Sequence, residues 1–242
     1  MKHMLSSALI AGFAAGLIFA LLQFVFLQPD IVLAEQYESG ALTHFSGVAP
    51  NGAADDHAHD AGTKGLAHDH PAGPEISALQ RQALTVLFAV LTYCGYGLVL
   101  MAAIQGAEQL GVKIGPAHGL LWGLAGFMSF QMMPALGLAP ELPGTPGPDL
   151  AARQIWWAAT AIATAVGLWF MAYGGPIWQR VAGAGVLAAP HIWGAPQATV
   201  FGGVAPPELA SAFTAHSLGV GMITWAVLGG LIVTFWRSTT AK

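Results

Sequence analysis

Charge is what this chain has least of. Asp, Glu, Lys and Arg make up 8% of its 242 residues, while 55% are hydrophobic. Soluble domains carry roughly a quarter charged residues, so the composition is that of a chain whose solvent is a bilayer. Eight Lys and Arg against twelve Asp and Glu give a net charge of -4, and no basic patch invites nucleic acid. The single cysteine, Cys94, excludes an intrachain disulfide and any thiolate zinc framework. No GxxxxGK[ST] stretch occurs, so ATP is not bound through a P-loop, and any energy-requiring work must draw on a gradient or a partner. Nothing in the chain reads as an enzyme. What is abundant is glycine, at 31 residues, and tryptophan, at 8. Glycine is frequent inside membrane helices and tryptophan at their ends.

The apolar runs predict an all-α, polytopic membrane domain over residues 1–242, with about six transmembrane helices and five as the alternative count. Leu5 to Leu27 is broken only by Gln23 and is too long for the core of a signal peptide, so it reads as an uncleaved helix. Gly12 and Gly16 within it form a GxxxG pair that would admit a close neighbour. Ile31 to Glu38 reads as a short helix of its own. Further spans read as Leu84 to Gln105, Pro116 to Leu138, Ile155 to Tyr173 and Phe213 to Trp236. A weak fifth span runs from Gln179 to about Ala195, interrupted by Pro190. Residues 50–74 are Ala, Gly, Asp and His with almost no apolar content, which predicts a disordered loop.

Lys2 at one end and Arg237 and Lys242 at the other place both termini in the cytoplasm, which requires an even number of spans. Lys113 and Arg180 then also fall inside, against Lys64, Arg81 and Arg153 outside. The reading is an inner-membrane protein with its His-rich loop in the periplasm.

The residues able to do chemistry gather on that outer face. The loop carries two His-x-His pairs, His57/His59 and His68/His70, among several aspartates; they suit loose capture of a metal ion. His191, beside Pro190, and His216, one turn inside the last span, are ionisable groups in a setting where such groups mark sites. Imidazole with carboxylate suits cobalt, nickel, copper or zinc better than magnesium or calcium. Met132 and Met133 precede Pro134, which frees a carbonyl and offers soft donors, although such methionines more often fill space. Glu141 and Arg153 flank a turn rich in Pro and Gly and read as an ion pair closing it, with Glu141 also a candidate metal ligand or gate held by Arg153. Trp156 and Trp157 read as interfacial anchors.

The stretch PALGLAPELPG at Pro134 to Gly144, followed by RQIWWAATAIATAVGL at Arg153 to Leu168, resembles the CbtA family of predicted cobalt transporter subunits. APHIWGAP at Ala189 to Pro196 and PPEL at Pro206 to Leu209 are similar as well, and the resemblance runs in order along the whole chain apart from the His-rich loop. Ala139 and Ile192 stand where the family pattern carries proline. The resemblance implies a membrane subunit for cobalt uptake, serving cobalamin synthesis. It also implies a small single-span partner of the CbtB kind with its own His-rich end. It carries no site residues over.

The residues and the resemblance together predict a divalent metal permease driven by a gradient or the membrane potential. Cobalt or nickel would be its substrate, and no cofactor is held permanently. Two other readings fit the residues alone. One is an intramembrane redox protein with His191 and His216 as haem ligands. The other is an assembly subunit that moves no ion.

Overall fold

A computed structural model describes residues 2–44, 77–199 and 202–240. His57, His59, His68 and His70 lie outside the described residues. Within them every regular element is helical. Helix α1 (Lys2–Leu22) runs without a break through a π-helical turn, Gln23–Leu27, into α2 (Gln28–Glu38). The short helix expected after the first span is therefore a continuation of it. Helix α3 (Ala78–Gln109) follows, then α4 (His118–Phe127), a second π-helical turn at Met128–Met132, and α5 (Met133–Ala135). Helices α6 (Leu150–Tyr173), α7 (Ile177–Trp193) and α8 (Pro207–Thr240) complete the chain.

Local chemistry sets the helix ends. The Ser77 hydroxyl accepts from the Gln80 N–H at 3.2 Å and starts α3, and an Asp149 carboxylate oxygen accepts from the Ala152 N–H at 3.0 Å and starts α6. Helix α3 stops where Gly111 turns to φ +89°, with the Gly111 and Val112 N–H groups donating back to the Glu108 and Ala107 carbonyls.

Four helical stretches are long and apolar enough to cross a membrane: His3–Glu38, Ala78–Gln109, Leu150–Tyr173 and Pro207–Ser238. The third apolar run of the sequence is helical only to Ala135, short of the expected Leu138. Helix α7 has 17 residues. That is about 26 Å at 1.5 Å per residue, somewhat under a hydrocarbon core of about 30 Å.

Glycine decides how the helices pair. A Cβ at Gly12 would lie 2.6 Å from the Cys94 Cα, and Gly16 and Gly97 face Val90 and Ala8 just as closely. The GxxxG pair is thus a packing device for α3. Gly119 and Gly123 meet Gly229 and Trp225 on α8 in the same way, and Gly167 of α6 meets Gly183 of α7. In each pair rising numbers on one helix meet falling numbers on the other, so the partners are antiparallel. Close backbone approach supplies the attraction that apolar burial cannot supply between helices in lipid. The central core holds Trp225, Tyr93, Ile104, Leu228 and Ile232. Among the described residues α7 packs against α6 alone.

Ion pairs show which helix ends share a face. Arg237 of α8 reaches Glu108 of α3 at 2.6 Å and also the Ile114 carbonyl. At the opposite ends, Arg81 of α3 lies 3.8 Å from Glu35 of α2, and His216 of α8 meets Asp30 of α2. These define an Arg237 face and a His216 face.

Candidate cation site at the His216 face

Asp30 follows Pro29 in the continuation of the first apolar helix, and His216 lies in the third turn of α8. Their side chains meet with Nδ1 2.7 Å from Oδ2. The carboxylate is mostly enclosed, at 14% exposure, while the imidazole stays 42% exposed. The Phe26 ring, from the π-helical turn just before, packs on the imidazole with centroids 6.0 Å apart. A carboxylate on Nδ1 keeps the proton on that nitrogen and leaves the Nε2 lone pair for a metal. This carboxylate–imidazole arrangement is the one that supports metal-bound histidines.

The PELPG turn reaches the same place. The Thr214 hydroxyl, two residues before His216, shares its proton between the Ala210 carbonyl at 3.0 Å and the Pro140 carbonyl at 3.2 Å. Leu142 is buried with Leu27, Ala34 and Phe213. Between them Glu141 binds Arg153, oxygen to Nη2 at 3.0 Å. The expected ion pair therefore closes the turn, and Gly147 leaves the guanidinium its space. The structure thus brings Glu141, Asp30 and His216 to one end of the bundle.

His191 sits elsewhere. Its last turn of α7 packs on α6, with the Trp156 ring edge-on at 5.9 Å, and its Nε2 is buried without a hydrogen-bond partner. The Trp156 indole is itself buried and donates to the Pro190 carbonyl at 3.3 Å, tying α6 to α7. Trp157 donates to the Phe130 carbonyl at 3.2 Å. That is the carbonyl which Pro134, four residues on, cannot serve. Both indoles therefore bind protein carbonyls, and the one freed by Pro134 is already occupied. Met133 is buried and Met132 packs against the core. His118 accepts from the Gly115 N–H at 2.9 Å, at the start of its own helix. Among the described residues no group of three or more His, Cys, Asp or Glu is arranged to hold a metal ion.

Asp30 is the residue that the sequence reading passed over. Its signal was available: an acid in the helical continuation of an apolar run is costly unless paired.

The profile of the family described as "probable cobalt transporter subunit (CbtA)" matches residues 1–237. The chain belongs to the CbtA family. The likeness carried by the PELPG turn thus extends over essentially the whole chain. No curated protein and no solved structure matches it. As a CbtA protein it is a membrane-embedded cobalt transporter subunit.

Proposed function

We propose that this CbtA subunit conducts cobalt into the cell, with the His216 face outside and His216 Nε2 as the first ligand fixed by the fold. The observation that carries the proposal is the 2.7 Å bond between His216 Nδ1 and Asp30 Oδ2. It orients an imidazole and places a carboxylate behind it, a donor set that suits cobalt. Glu141, once released by Arg153, is a second carboxylate at the same end. His191 serves a later contact on the α6–α7 side, and the Met132 and Met133 thioethers add soft donors only in a rearranged state. The loop histidines His57, His59, His68 and His70 collect ions from dilute solution and hand them on.

The chain crosses the inner membrane six times, with both termini in the cytoplasm. A doubly charged ion moving inward down 100 mV gains about 4.6 kcal/mol, twice the single-charge value. That corresponds to accumulation on the order of a thousandfold, so no ATP site is required. A small single-span CbtB-like subunit with its own His-rich end completes the transporter.

The test is uptake of labelled cobalt by cells carrying this chain with its partner subunit. The wild-type pair takes up cobalt, and nickel competes better than magnesium. His216→Ala raises the half-saturating cobalt concentration at least tenfold. If the pair moves no cobalt, the transport reading fails. If His216→Ala matches wild type at low cobalt, the site reading fails.

A further inference from the structure

Below the His216 face a cleft of about 520 Å³ opens between α1, α3 and the second π-helical turn. On α3 its wall runs along one helical face, from Arg81 near the start of the helix to Tyr96 near its middle. The fifteen helical steps between them span about 22 Å. The wall is mostly apolar, and its polar groups come from Gln23, Thr85, Thr92, Tyr93, Tyr96 and Gln131.

The two glutamines have a common origin. Gln23 opens the first π-helical turn and Gln131 lies within the second. Such turns widen a helix by one residue and re-aim its side chains, and they gather at functional sites. Gln131 reaches its position because Gly221 of α8 has no Cβ; one there would collide with the Gln131 carboxamide oxygen. That oxygen is buried without a hydrogen-bond partner, whereas the hydroxyl of Tyr93, a residue only 2% exposed, is turned to the Thr224 side chain of α8. Buried polar atoms left without partners are costly, and a ligand or water is the usual explanation.

Aromatic rings close the cleft at its inner end. Phe130 stacks on Trp225 with centroids 5.5 Å apart and planes at 9°. Tyr96 lies 4.7 Å and Tyr93 6.5 Å from the same indole. At the rim, Arg81 is paired with Glu35, so its charge is offset where a cation would pass.

We propose that this cleft is a vestibule that binds a divalent transition cation with its water shell intact. The chemistry of the wall points there. Among the described residues it contains no carboxylate, imidazole or thiol, so it cannot replace the water on a bare ion of this class. Carboxamide, phenol and hydroxyl oxygens do accept hydrogen bonds from metal-bound water. Six waters at about 30 Å³ each fill about 180 Å³, which leaves room in the cleft. Gln23 stands seven residues before Asp30 on one continuous helix, about 10 Å away along its axis. An ion released from His216 therefore meets the carboxamides next, and the aromatic floor is the barrier that must part for it to continue. This inference rests on the cobalt-uptake reading above and names where that ion waits.

The test uses cysteine accessibility in a Cys94→Ser background, with the full chain and its partner in membrane vesicles. Thr92→Cys lies in the cleft, Leu91→Cys is exposed outside it, and Ser39→Cys is exposed at the end of α2. A membrane-impermeant cationic thiol reagent labels Thr92→Cys and spares Leu91→Cys. Cobalt chloride slows labelling at Thr92→Cys and leaves Ser39→Cys unchanged. In uptake, Gln131→Leu raises the half-saturating cobalt concentration about fivefold, the worth of one neutral hydrogen bond. Gln131→Glu lowers it below the wild-type value, which a purely structural glutamine would not do. No labelling at Thr92→Cys means a cleft filled by lipid and overturns the inference. Labelling that cobalt does not slow, or slows equally at Ser39→Cys, overturns it too. Labelling is read independently of transport, so a pair that moves no cobalt yet is protected at Thr92→Cys would fail the uptake reading and keep the vestibule.

Discussion

Replacing Asp30 with asparagine tests the site at its least expected member. The wild-type bond is 2.7 Å long and links an enclosed carboxylate to a half-exposed imidazole. A hydrogen bond to a charged group contributes about 1.5–3 kcal/mol and a neutral one about 0.5–1.5 kcal/mol. Asp30→Asn removes the charge and keeps the shape, so the imidazole loses about 1–1.5 kcal/mol of support, close to tenfold in affinity. Tenfold is also the lower end of what a lost outer partner of a metal histidine costs. The remaining carboxamide adds a second effect. Its N–H can donate to Nδ1, which moves the ring proton to Nε2 and blocks the lone pair meant for the metal. The assay is labelled cobalt uptake as a function of concentration, with membrane abundance of each variant as the control. Asp30→Asn should raise the half-saturating concentration about tenfold and leave the maximal rate near wild type. In a His216→Ala background the same substitution should change little, because the group it supports is gone. If the two changes multiply instead, Asp30 acts by another route and the orientation argument is wrong.

Two further outcomes check the packing and the loop. Gly123→Ala would drive a methyl group into the Trp225 carbonyl, backbone that no rotamer change can move, and should cost about 2 kcal/mol. In detergent that is a fall of about 5 °C in Tm; Gly230→Ala, which meets nothing within 4 Å, should leave Tm unchanged, and equal shifts in both would refute the helix-pairing account. Deleting residues 51–74 should weaken uptake at low cobalt and spare it at saturating cobalt. Loss of uptake at saturation would show that the loop does more than collect ions.

Much of the architecture was legible because hydropathy and glycine spacing are local signals. The long helices follow from apolar runs, and Gly12 and Gly16 do what a GxxxG pair does. The Glu141–Arg153 pair was legible from opposite charges flanking one short turn. Two things were not. Trp156 and Trp157 look like interfacial anchors in sequence, and nothing local shows that their indoles bind the Pro190 and Phe130 carbonyls. Those partners lie 34 and 27 residues away, and no periodicity names them. The His216–Asp30 pair spans 186 residues, so only the antiparallel return of α8 along the first helix could reveal it.

The glutamines make the same point more sharply. In sequence Gln23 is the one polar break in an apolar run, and Gln131 is one polar residue before two methionines. Regular α-helical spacing gives no reason for either to face α3. Each lies instead in a five-residue π-helical turn, and each turn shifts the side-chain register of its helix. After the shift, residues 108 positions apart in sequence line one cleft with Tyr93 between the helices that carry them. Two independent register shifts that turn carboxamides into one cleft would be hard to retain in lipid, where an exposed carboxamide has no water to bind. A hydrated cation supplies that water. The aromatic floor beneath it then has a definite task, because a vestibule open at both ends would conduct without selection.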